Sequence, residues 1–239
     1  MRILVVTAVA AERDAVTSGV GGEASPQKVQ LPGGYALHRS HTATSPPLVV
    51  DVVAVGVGPA AAAAGTATAL TTAWTDGTPY DLAVSAGIAG GFEQPLGGAV
   101  VATSIVAADL GAVTPTGFAS VTELGFGTVE HRPPRELVRA VAEATEAVAG
   151  PVLTVSSVTG TAEHAAELTE RHPGAVAEAM EGFGVAEAAA AHGVAVLELR
   201  TVSNSVGPRD LATWRIPDAL AALGGSFAAT VAVLRAWEP

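Results

Sequence analysis

LVVDVVAVGVGPAAAAAG, residues 48–65, decides the fold. Its first eight residues (48–55) are a β-branched apolar run broken by Asp51, the length and make-up of a buried strand. Gly56-Val57-Gly58-Pro59 follows, and the Ala/Thr run after it reads as a helix. Proline suits the first helical position because the N–H it lacks would have no partner there. A strand that passes through glycines straight into a helix is one unit of an alternating α/β chain.

The same alternation continues in both directions. Towards the N-terminus, ILVVTAV (3–9) is a strand bounded by the helix-friendly AAERDAV. Residues 20–47 are rich in Gly, Pro, Ser and Thr, with a hairpin in VQLPGGYALHRS (29–40) around Pro32-Gly33-Gly34. Towards the C-terminus, DLAVSAGIAGG (81–91) is a strand entering a glycine loop and AVVATSIVAAD (99–109) is another strand. The spacing of Leu137, Val138, Val141, Ala144 and Val148 predicts an amphipathic helix over 133–149. Strands at 151–158 and 174–180 flank a helix around 162–171. A helix at 181–193, a strand at 194–204 and a final helix over 216–237 complete the series. The long segment 110–134 is a candidate lid or substrate wall.

At 239 residues the chain suits one large domain, 1–239, with a sizeable core. It is 49% apolar and only 15% charged, which excludes disorder. Twelve basic residues against 23 acidic ones give a net charge of −11, a surface that repels nucleic acid and anionic membrane. With no cysteine there is neither a disulfide framework nor a thiolate metal site. The opening MRILVVTAVAAERD lacks the full pattern of a signal peptide. The longest apolar region, 48–74, is interrupted by Asp51, Gly56, Gly58 and Pro59, so it does not read as membrane-spanning. A cytoplasmic protein with no membrane or nucleic-acid partner is expected.

The chemistry-bearing side chains fall at strand ends, where open α/β sheets hold their ligands. In LELRTVSNSVGPRD (197–210) an apolar strand carries Glu198 and Arg200, ends on Asn204 and enters a charged Gly-Pro loop. Glu12 follows the first strand, SAGIAGGF (85–92) follows a central one, and Glu181 ends AVAEAM. Each has an ordinary reading. Glu12 and Glu181 suit the first turn of a helix, Glu198 and Arg200 could form a buried pair on one strand face, and Asn204 is a turn former. Together they bring two carboxylates, a guanidinium and an amide to one crevice. The six histidines are scattered and no HExxH is present, so no metal site is expected.

TAVAAE (7–12), SAGIAGGF, AMEGFGVA (179–186) and RTVSN (200–204), in this order and spacing, resemble the purine nucleosidase/phosphorylase-like family. The resemblance covers essentially the whole chain and is strongest to the methylthioadenosine/S-adenosylhomocysteine nucleosidases. It implies a three-layer α/β fold, with a central mixed, mostly parallel sheet flanked by helices. It also implies hydrolysis of an N-glycosidic bond, with a nucleoside and water as substrates and no cofactor. A homo-oligomer, a dimer or a dimer of dimers, comes with it. By the same resemblance Glu12 activates water, Met180 packs on the purine, Glu181 holds the ribose hydroxyls and Arg200 positions the water and carboxylate. Ala89, Gly90, Val158 and Thr159 border the base.

This sequence departs from that pattern in places. The nucleosidases end the last strand on Ser-Asp, and here it is Ser203-Asn204; Ile88 stands for a serine and Ala179 for a glutamate. SNSVGPRDLATWRI (203–216) and TVSSVTGTAE (154–163) resemble the futalosine hydrolases, which release hypoxanthine, and that likeness implies a place in menaquinone biosynthesis. The amide makes chemical sense: it can donate to N7 and O6 of hypoxanthine, both acceptors, whereas an ionised Asp would meet them with lone pairs. Three other readings stand beside this one. One is an adenine-releasing or other purine nucleosidase. A second is a purine nucleoside phosphorylase, for which Glu12 would repel phosphate, although Arg13 is adjacent. The third is a non-catalytic purine-binding domain, which would not need Glu12.

Overall fold

The structure, a computed structural model, describes residues 1–21, 25–42 and 48–238, so part of the 20–47 reading lies outside the described residues. Strand β1 (Arg2–Thr7) carries the logic of the fold. Leu4 and Val6 join a core with helices α2 (Pro59–Thr75) and α5 (Gly182–Ala191). Ile3 and Val5 project the other way, into a core with α1 (Ala10–Val20), α3 (Arg135–Thr145) and α6 (Ile216–Leu234). A strand apolar on both faces needs helices on both, which makes three layers.

The sheet runs from β11 (Ala177–Ala179) through β10 (Val148–Thr154), β6 (Ala99–Ala107), β12 (Ala195–Ser205), β5 (Leu82–Gly91), β1, β4 (Val49–Ala54) and β3 (Ala36–His41) to β2 (Gln27–Gln30). β4, β1, β5 and β12 lie parallel, while β12 and β6 are antiparallel. β11, parallel to β10, also pairs antiparallel with β5, so five strands close on themselves. That closure sets the turn into α5 beside the C-terminal end of β5.

Most sequence-predicted elements are present, with instructive differences. The glycines of SAGIAGG belong to β5 itself, as far as Gly91, rather than to a loop after it. The helix expected over 133–149 stops at Thr145, where Glu146 takes a left-handed φ of 53°, and Val148 already opens β10. β10 shifts register between Gly150 and Pro151, as a strand must where proline offers no N–H to the ladder. The strand expected at 174–180 contracts to β11, and α4 (Ala162–Arg171) precedes it as predicted. Segment 110–134 is not structureless: it holds a hairpin of β7 (Gly111–Thr114) and β8 (Gly117–Ser120) and a short β9 (Glu130–His131) paired with β6.

α6 is long and apolar enough by length and composition to cross a membrane, yet its stripe of Ala219, Leu223, Phe227, Val231 and Leu234 is buried in the protein. It crosses α1 with the two backbones in near contact: a Cβ on Gly19 would stand 2.1 Å from the Gly224 carbonyl oxygen. Gly19→Ala should therefore lower the free energy of unfolding by about 1–3 kcal/mol. Gly225→Ala, with open space around it in the same helix, should raise it by up to about 1 kcal/mol. Urea unfolding of the two variants checks the contrast, and equal effects would mean that the crossing is not limited by backbone contact.

Candidate active site

Glu198 and Arg200 sit two apart on β12, so their side chains share a face. Arg200 is only 1% exposed, and its guanidinium is satisfied by protein groups. Nε donates to Glu198 Oε1 at 3.0 Å, Nη1 to Glu181 Oε2 at 3.1 Å and Nη2 to Ser85 Oγ at 2.8 Å. Glu181 stands at the N-cap of α5, and its other oxygen accepts the N–H of Gly58, from the turn before α2, at 3.1 Å. The buried pair anticipated on the strand is thus real, and it is also the hub that fixes Glu181.

Glu12, 4% exposed, is the third residue of α1. Its Oε2 accepts the N–H groups of Ala8 at 3.0 Å and Val9 at 3.2 Å, as a first-turn helix acid does. Its Oε1 accepts the N–H of Ile88 on β5 at 2.9 Å. Between Glu12 and Arg200 lies Gly87. A Cβ there would stand 2.5 Å from Glu12 Oε1 and 2.8 Å from Arg200 Nη1. β5 is glycine at this point because side chains from two other elements press on its backbone.

Three carboxylates therefore crowd one guanidinium. Burial pushes the Glu12 carboxyl above the ordinary glutamate range, against the pull of the Arg200 charge and the Ile88 N–H. Glu198 is also raised by burial, with Arg200 opposing, and its Oε2 has no hydrogen-bond partner. A buried carboxyl raised in this way is a better proton acceptor than an ordinary glutamate. Among the described residues no group of three or more His, Asp or Glu is placed to hold a metal ion.

Three residues further along β5, about 10 Å at the strand rise, Gly90 borders a small cavity with Val158, Thr159, Glu178, Asn204 and Trp214. Asn204 reaches it because β12 bulges: Val202 pairs with Ala89 and Asn204 with Gly90, leaving Ser203 as the extra residue. The amide is oriented by Ser203 Oγ, which lies 2.8 Å from Oδ1, while Nδ2 donates to the Ser205 carbonyl at 3.0 Å. One of the two amide hydrogens is left for another acceptor.

The remaining predicted residues divide. Val158 is exposed at the cavity, and Met180 is half-buried between β11 and α5. The Ala89 carbonyl accepts from Ser203 Oγ at 3.2 Å. The Thr159 N–H donates to Glu178 Oε1 at 2.8 Å and its hydroxyl to Glu178 Oε2. Burial raises the Glu178 carboxyl as well, with the Thr159 bonds opposing. Sequence reasoning did not assign Ser85, Glu178 or Glu198 to the site, although a glutamate in the middle of an apolar strand is the signal that marks the last two.

The sequence model of the phosphorylase superfamily matches residues 3–232, and the chain belongs to that superfamily. Futalosine hydrolase of Streptomyces coelicolor is 61% identical over 241 residues, spanning 100% of this chain and 99% of that protein. Futalosine hydrolase of Acidothermus cellulolyticus is 48% identical over 232 residues, 95% of this chain and 88% of that one. Within the superfamily the chain is a member of the futalosine hydrolase family. Two solved structures share its fold. A methylthioadenosine/S-adenosylhomocysteine nucleosidase from Colwellia psychrerythraea in complex with adenine aligns with a TM-score of 0.80 at 21% identity, over 98% of this chain and 96% of that one. Futalosine hydrolase of Helicobacter pylori aligns with a TM-score of 0.78 at 17% identity, over 99% and 97%.

The contact at Gly87 generates a direct expectation. Gly87→Ala should displace the Glu12 carboxylate or the Arg200 guanidinium by an ångström or so and cut kcat by at least about 100-fold. The circular dichroism spectrum should be unchanged. Near-normal turnover would mean that the two groups need not meet at this point.

Proposed function

We propose that the chain hydrolyses the N-glycosidic bond of futalosine, releasing hypoxanthine and dehypoxanthine futalosine, as a step in menaquinone biosynthesis. The observation that carries this reading is that β5 receives both kinds of group: a buried carboxylate of raised pKa presses on Gly87, and the Asn204 amide is paired with Gly90 three residues further along. The groups suited to the sugar and the group suited to the base thus meet on one strand. The full-length futalosine hydrolase relatives support the choice of substrate.

The glycosidic bond stretches first, leaving an oxocarbenium-like sugar. Glu181 holds the 2′- and 3′-hydroxyls, and its charge stabilises the developing cation. Arg200, 3.1 Å away, keeps that carboxylate in place. Glu12 takes a proton from the water that attacks the opposite face of the sugar. Asn204 donates to the N7/O6 edge of the departing base, which spreads its negative charge onto O6 and so leaves without full protonation. Met180 packs on the purine, and Ala89, Gly90, Val158 and Thr159 border it. No cofactor takes part. Phosphate is disfavoured as the nucleophile because Arg200, the one buried Lys or Arg among the described residues, is already paired with carboxylates. The chain works in the cytoplasm as a homo-oligomer, a dimer or a dimer of dimers.

Offering futalosine, inosine and methylthioadenosine in phosphate-free buffer tests the reading. Hypoxanthine should be released fastest from futalosine; preferred release of adenine would overturn the substrate assignment. The pH profile tests the base. Glu12 accepts a proton only when ionised and burial raises its pKa, so kcat/KM should fall on the acid side with a midpoint above that of an ordinary glutamate. Glu12→Gln should abolish that limb and cut kcat by about 10²–10⁴-fold while substrate still binds. An unchanged profile in the variant would remove Glu12 from the mechanism.

A further inference from the structure

Glu178 has no part in the mechanism just described, yet it is 6% exposed and lines the cavity of Asn204. Its place in the sheet explains why. On β11, Glu178 is paired with Gly90 of β5, and on the opposite side Gly90 is paired with Asn204 of β12. Residues directly opposite one another on neighbouring strands project to the same face. Gly90 adds no side chain of its own. The carboxylate and the amide therefore stand on either side of Gly90, two strand spacings or about 10 Å apart at the Cα atoms, with a Val206 methyl group and the amide nitrogen close over the glycine. Both groups line one cavity, so a flat heteroaromatic ring entering it meets a hydrogen-bonding group at each of two edges.

The polarity of the wall matters as much as its width. The N–H and hydroxyl of Thr159 are both donors, and Glu178 accepts both. An ionised carboxylate offers about four acceptor positions, so two remain. Glu178 thereby turns a wall of donors into a wall of acceptors. A 6-oxopurine carries a hydrogen on N1, which needs an acceptor. A 6-aminopurine has a bare lone pair at N1, which a carboxylate repels.

We infer that Glu178 determines base specificity, its carboxylate accepting the N1–H of a 6-oxopurine while Asn204 serves the N7/O6 edge. The inference rests on the hydrolase reading proposed above and adds to it the group that recognises the N1 side of the base. Two strands thus read two edges of the base across one cavity.

The test measures calorimetric binding of hypoxanthine, 1-methylhypoxanthine and adenine to the full chain and to Glu178→Gln. In the unaltered protein, methylation at N1 should weaken binding by about 10- to 100-fold, the worth of a hydrogen bond whose buried partner is left unpaired. Glu178→Gln should lose a similar factor for hypoxanthine, shift preference towards adenine, whose N1 the new amide can serve, and remove most of the methyl penalty. Equal binding of hypoxanthine and its 1-methyl derivative by the unaltered protein overturns the assignment without any variant. A methyl penalty undiminished in Glu178→Gln also overturns it, because lack of room alone would persist there. Failure of the hydrolase reading looks different: no base would be released from futalosine by the unaltered protein, whatever Glu178→Gln binds.

Discussion

One buried cation organises this molecule. The Arg200 guanidinium ties β12 to itself through Glu198, to β5 through Ser85 and to the start of α5 through Glu181. Glu181 in turn holds the Gly58 turn that launches α2, and Glu12 of α1 presses on Gly87 from the other side. Five elements, β12 among them, are thus keyed to a single charge. Taking a guanidinium out of water is costly and is offset only when its donors find partners; removing one member of such a pair typically costs about 3–5 kcal/mol. The same arrangement leaves the carboxylates in excess, and burial raises Glu12 and Glu198. Structure and chemistry therefore meet at one place: the cation holds the elements together, and the burial that this packing creates, against the pull of the cation, raises a carboxyl to where it takes a proton more readily.

β5 is the ruler along which the site is laid out. Gly87 admits the groups proposed to act on the sugar, and Gly90 admits those proposed to act on the base. Neither position tolerates a side chain: the Glu12 carboxylate and the Arg200 guanidinium press on Gly87, and a Val206 methyl group and the Asn204 amide press on Gly90. The bulge at Ser203 completes the layout. Without the extra residue, Asn204 would pair one position further on, opposite Gly91, and its amide would turn to the other face. A local irregularity of β12 thus decides which base edge can be read.

Much of this was legible in the sequence. The alternation of β-branched runs with Ala-rich helical stretches gave the layers, because a strand sandwiched between helices is apolar throughout. The clustering of Glu12, Glu181 and Arg200 followed from their positions at strand ends. What periodicity could not give was closure: β11 is three residues long and pairs with β5 as well as β10, a contact between segments some ninety residues apart in sequence. Nor could it show that the glycines of β5 continue the strand, since a glycine-rich run looks the same whether it turns or is simply approached closely. Glu178 went unassigned for a related reason. Its partner Thr159 lies on a different segment, and only the folded sheet sets it opposite Gly90.

The central claim is that the carboxylates gathered around Arg200 direct water, rather than phosphate, to the anomeric carbon of a purine nucleoside. Single-turnover hydrolysis of futalosine in oxygen-18 water, with and without phosphate, tests it most directly. The account predicts one labelled oxygen on the anomeric carbon of the sugar product, with hypoxanthine as the released base and a rate indifferent to phosphate. A sugar 1-phosphate, or a rate that rises with phosphate while the sugar stays unlabelled, would contradict it.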